Sequence, residues 1–121
     1  MAADERRRNI RLRTRLTAQV TNVSTGIIQQ ALTRDISGKG VCLVTGDMIE
    51  PGTPLSIELH LPDHDAPVSF LGDVVWSMLL LPPGGQAKNP PAETGVRYVS
   101  IDPKIRTAII LYAQLNALPP P

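Results

Sequence analysis

The stretch PLSIELHL, from Pro54 to Leu61, places Leu55, Ile57, Leu59 and Leu61 on one side of an extended chain and Ser56, Glu58 and His60 on the other. A period of two suits a half-buried strand and cannot make the stripe that an amphipathic helix needs. The same period recurs along most of the chain. RLTAQVTNV puts Leu16, Ala18 and Val20 together, and PVSFLGDVVWSM does so with Val68, Phe70, Gly72, Val74 and Trp76. GIIQQALTRDI and KGVCLVT read as two further strands, and TGVRYVSI supplies a sixth with Val96, Tyr98 and Ser100 on one face. Ser24-Thr25-Gly26, Gly46-Asp47 and Pro51-Gly52 punctuate the strands as turns. Six short strands with no helical segment between them predict an antiparallel barrel or sandwich.

Two segments depart from that period. LPPGGQAKNPPA, Leu81 to Ala92, is rich in proline and glycine and reads as a long loop joining the last two strands. Asp102 is a good N-cap and Pro103 suits the first position of a helix predicted over 103–117. Its apolar stripe, Ile105, Ala108, Ile109, Tyr112 and Leu115, is expected to pack on the strands.

At 121 residues the chain fits one domain with a sizeable core. Cys42 is the only cysteine, so an intrachain disulfide is excluded. No apolar run is long enough to span a bilayer, and the arginine-rich head is not followed by the apolar segment of a leader. No membrane role is expected, and the cytoplasm is the expected location. Aromatic residues make up only 3% of the chain, which argues against a surface that stacks single-stranded nucleic acid.

Charge is unevenly placed. Residues 1–15 carry six arginines against Asp4 and Glu5, whereas the remaining residues carry six cations and nine carboxylates. The whole-chain net charge of +1 hides this polarity. Residues 1–15 have little apolar content to bury, so they read as a flexible basic arm ahead of a barrel over 16–118.

Two motifs give the arm a specific meaning. Arg7 and Arg11 form R-x-x-x-R, and Asp35, Ser37 and Gly40 form D-x-S-x-x-G one strand later. Alone, the second motif has a bland reading: a tight turn in which Asp35 bonds its own backbone and Gly40 relieves a positive φ. Together, in this order, with alternating strands, a GDVVW strand, a GVRYVSI strand and a terminal helix, they resemble the PilZ domain from about Glu5 to about Leu118. The resemblance implies a six-stranded antiparallel β-barrel with a C-terminal α-helix that binds the bacterial second messenger cyclic di-GMP. It carries the motif roles onto Arg7, Arg11, Asp35, Ser37 and Gly40, all matched without substitution. Arg6, Arg8, Arg13 and Arg15 read mostly as supporting field and solvated surface, with Arg8 the expected extra ligand contact. Arg11 and Arg15 have the same spacing, but the earlier pair is preferred because the family's strand begins just after its second arginine.

The chemistry supports those roles. A guanidinium can fork onto a phosphate or onto guanine O6 and N7, and can stack on a purine. Two arginines four apart on an arm can clamp one ligand from two sides. A carboxylate at Asp35 can accept guanine N1–H and N2–H in parallel, and the Ser37 hydroxyl can donate to phosphate or accept from the exocyclic amine. Gly40 lets the backbone pass close to the ligand or makes the turn that aims Asp35 and Ser37.

Other candidates are weaker. HLPDHD holds both histidines in one turn, far from Cys42, so neither a metal site nor a catalytic triad is expected. Trp76 is read as core or as a lid over the barrel mouth. The chain is therefore expected to be a receptor with no catalytic residues and no cofactor, passing its ligand signal to a downstream protein or a second copy of itself. Two alternatives remain: a PilZ-like adaptor without ligand binding, and a small barrel that binds nucleic acid through its arm. A nucleic acid polymer is not the expected partner, because the favoured reading demands guanine selectivity.

Overall fold

A computed structural model describes residues 10–82, 84, 85 and 88–117. Among these residues seven strands and one helix follow one another: β1 (Leu12–Arg13), β2 (Thr17–Asn22), β3 (Ile28–Ile36), β4 (Gly40–Thr45), β5 (Pro54–Leu59), β6 (Val68–Leu79), β7 (Ala92–Ser100) and α1 (Pro103–Ala117). The sheet runs β1-β3-β2-β5-β6-β7-β4, and a further β3–β4 pairing closes the last six into a barrel. All ladders are antiparallel. The expected six-stranded barrel with a C-terminal helix is therefore present, with β1 as one additional short strand.

The inward faces are those set by the alternation. Leu16, Ala18 and Val20 from β2 and its approach meet Leu55, Ile57 and Leu59 of β5 and Val68, Phe70 and Val74 of β6 in one buried cluster. Each fully buried aliphatic side chain of this kind stabilises the fold by about 1.5–3 kcal/mol through transfer from water. The turn after β2 forms where expected: Gly26 takes φ 78°, and the Asn22 carbonyl accepts its N–H at 2.7 Å.

Three expectations about facing are corrected. Trp76 does not share the inward face of Phe70 and Val74. A register shift between Val74 and Trp76 inserts an extra residue into β6, so Val75 and Trp76 both turn outward and Trp76 is 40% exposed. Ser100, at the end of β7, is exposed and not inward. On α1, Leu115 is 70% exposed while Ala113 is fully buried. Ala113 continues the Ile105–Ile109 seam at steps of four, whereas Leu115 lies about 120° around the helix from Ile109.

The helix starts as its cap dictates. Asp102 Oδ1 accepts the Lys104 N–H at 2.7 Å, and the Asp102 carbonyl accepts the Arg106 N–H at 3.0 Å. Asp102→Ala should cost about 1 kcal/mol, measured by chemical denaturation; an unchanged midpoint would mean the cap is idle. Tyr112 reaches Thr14, with their hydroxyls 3.2 Å apart, so α1 docks against the segment carrying β1.

That segment matters for the arm. Leu12 and Arg13 pair with Ile36 and Asp35 of β3, and the Thr14 N–H donates to the Arg34 carbonyl at 3.1 Å. Residues 12–15, assigned above to the basic arm, thus lie along the edge of β3 that β2 also uses. Arg11 immediately precedes β1, and residues 1–9 of the expected arm lie outside the described residues.

Candidate functional site

β3 ends at Ile36 and β4 begins at Gly40, so D-x-S-x-x-G spans one tight connection. A register shift between Thr33 and Asp35 interrupts β3 just before it. Asp35 lies beside Arg11, whose Nη1 donates to the Asp35 carboxylate at 2.5 Å. The two motifs, separated by 24 residues in sequence, therefore meet in space. Arg11 keeps 60% of its side chain exposed and Asp35 keeps 20%. Arg7 and Arg8 lie outside the described residues.

Within the turn, the Ser37 N–H donates to the Gly40 carbonyl at 3.0 Å. The Ser37 hydroxyl donates to the same carbonyl at 3.3 Å and accepts the Lys39 N–H at 3.2 Å. Ser37 is 1% exposed, so its hydroxyl is buried and bonded inside the turn. The bland account of Gly40 is also corrected: its φ is not positive. A Cβ there would run into the backbone carbonyl of Val96, because Gly40 pairs opposite Arg97 on β7. Glycine is required here by the close approach of two strands.

Beside the Arg11–Asp35 pair lies a cleft of about 220 Å³ lined by Arg11, Lys39, Gly40, Cys42, Trp76 and Arg97 among others. Three of its lining residues are cationic and none is acidic, so it favours an anion. The Trp76 indole packs against Gly95, where any Cβ would overlap the ring. The outward turn of Trp76 thus gives the cleft an aromatic wall. Burial, and then the Asp35 carboxylate, push the Cys42 thiol up against the opposing pull of Arg34 and Arg11. Cys42 is accordingly a protonated wall residue and not a nucleophile.

Arg13, Arg15 and Arg34 line a different groove of about 400 Å³ that shares no residue with the cleft. Arg34 is held there by an ion pair with Glu93.

Lys39, Trp76 and Arg97 were not singled out as site residues from the sequence. Arg97 occupies an outward position between buried Val96 and Tyr98, and only barrel closure brings it opposite Gly40. The signal for Trp76 was the Val74-Val75 doublet, where the alternation of β6 breaks.

The PilZ domain family model matches residues 5–114. The chain belongs to the PilZ domain family. No curated protein matches this PilZ domain by sequence. Among solved structures it is similar to the Bacillus subtilis inhibitor of motility MotI/DgrA, with a TM-score of 0.68 and 19% identity over 90% of this chain and 51% of that one. It is also similar to the PilZ domain of YcgR from Escherichia coli with c-di-GMP, with a TM-score of 0.65 and 12% identity over 88% and 90% of the two chains. The PlzA protein of Borreliella burgdorferi in complex with c-di-GMP gives a TM-score of 0.63 and 12% identity over 96% of this chain and 55% of that one. This PilZ domain thus spans about half the length of the Bacillus and Borreliella proteins, and at these identities the likeness concerns the fold.

Proposed function

We propose that this PilZ domain is a receptor for cyclic di-GMP and works by binding, not catalysis. The observation that carries the reading is the 2.5 Å contact between Arg11 and Asp35 at the lip of a cationic, tryptophan-walled cleft. The occurrence of c-di-GMP in the YcgR and PlzA structures supports it. Arg7, Arg8 and Arg11 serve as the clamp on phosphate and guanine. Asp35 accepts the guanine N1–H and N2–H donors, and Ser37 and Gly40 complete the motif around it.

Ligand entry exchanges partners. In the structure described, Arg11 and Asp35 satisfy each other. Guanine offers Asp35 two donors and offers Arg11 two acceptors, so the pair can part without leaving either charge unmatched. The reading assigns the domain to the cytoplasm, where the bound state acts on a partner protein or a second copy of the chain. Among the described residues no helix is long and apolar enough to cross a membrane.

Trp76 is the only tryptophan and forms a wall of the cleft, which makes it a built-in reporter. Cyclic di-GMP should change its fluorescence saturably, and Trp76→Phe should abolish the signal. Saturable binding in solution with no change at Trp76 would place the ligand elsewhere.

A further inference from the structure

Asp35, Ile36 and Gly40 are held by the strand ladders. Among the described residues, however, the intervening Ser37-to-Lys39 turn is tied to the rest of the barrel by two hydrogen bonds, both from one residue. The bonds of Ser37 N–H, Ser37 Oγ and Lys39 N–H all close within the turn itself. Outward, the Tyr98 hydroxyl donates to the Ser37 carbonyl at 2.7 Å, and the Tyr98 N–H donates to the Lys39 carbonyl at 3.2 Å. Tyr98 therefore grips the carbonyls on both sides of Gly38.

The grip is preorganised. Tyr98 is 6% exposed, and its ring meets Phe70 edge-on with centroids 4.9 Å apart at 72°. Burial pushes the phenol well above its usual range, outweighing the Arg106 and Arg11 guanidiniums, so the hydroxyl remains a donor. Ser37 is buried, so water is not at hand to replace that donor.

We propose that Tyr98 is a positioning residue for ligand binding, holding the turn so that Asp35 and Gly40 keep the geometry that receives cyclic di-GMP. This rests on the function proposed above. Its physical basis is a population effect: if the turn samples other shapes, apparent affinity falls by the fraction of molecules that remain competent.

Tyr98→Phe keeps the ring and its packing and removes only the donor. Thr45→Val is the matched control. The Thr45 hydroxyl is buried, donates to the Asp47 carbonyl at 2.9 Å and lies at the opposite end of β4 from the turn. Both variants lose a buried hydroxyl, so both should melt somewhat earlier than wild type. Only Tyr98→Phe should bind cyclic di-GMP about tenfold more weakly, with faster amide exchange at Lys39 and Gly40. Two results would overturn the proposal: wild-type affinity and exchange in Tyr98→Phe, or an equal loss of affinity in Thr45→Val. If the wild type does not bind cyclic di-GMP, the proposed function fails, and unchanged turn exchange in Tyr98→Phe would still sink the positioning role by itself.

Discussion

Asp35→Ala should weaken cyclic di-GMP binding by about 2 kcal/mol or more, roughly thirtyfold, because two guanine donors lose their acceptor in a partly desolvated site. Stability should hardly change. The side chain that Asp35 pairs with is 60% exposed, and such pairs contribute at most about 1 kcal/mol. The loss of affinity should therefore appear in molecules whose thermal unfolding is close to that of wild type. Asp35→Asn sharpens the point, since it keeps the shape and one acceptor but puts an N–H₂ against guanine donors. If Asp35→Ala binds as tightly as wild type, the guanine edge is read by some other residue.

The second large effect is expected at Arg11. Arg11→Lys keeps the positive charge of the cleft but loses the planar fork that matches phosphate or guanine O6 and N7. Losing one charge-assisted bond of that kind should cost about 1.5 kcal/mol, roughly tenfold. Arg7→Lys is expected to behave in the same way. Arg13→Ala removes a whole charge from the same stretch, yet Arg13 lines the separate groove with Arg15 and Arg34. It should stay within about 0.5 kcal/mol of wild type. Titrations of the three variants at one ionic strength decide the matter. Equal losses at Arg11 and Arg13 would mean that the basic stretch acts as a diffuse field and not as a set of placed forks.

Alternation alone placed Leu55, Ile57 and Leu59 inward, because a strand with one buried face has no other register open to it. The same logic failed at Trp76, where one extra residue in β6 turns Val75 and Trp76 outward together. Nothing local marks that insertion except the Val74-Val75 doublet. The helical stripe was right at Ile105 and Ile109 and wrong at Leu115, because helical spacing does not say where the barrel surface ends. The resemblance grouped Arg11 with Asp35, and the structure places the two in contact. The resemblance said nothing of Lys39, Trp76 and Arg97, which line the cleft only because β4 and β7 pair to help close the barrel. Tyr98 looked like core, and it is; its hydroxyl bond to Ser37 depends on a turn geometry that composition does not encode.

Titration calorimetry with cyclic di-GMP, and with cyclic di-AMP as control, tests the central claim most directly. The two ligands share the phosphodiester ring and its charge and differ in the base edge that Asp35 is proposed to read. Saturable heat with cyclic di-GMP, lost in Asp35→Ala, and little or none with cyclic di-AMP is the predicted result. No binding of cyclic di-GMP, or equal binding of the two, would contradict the account.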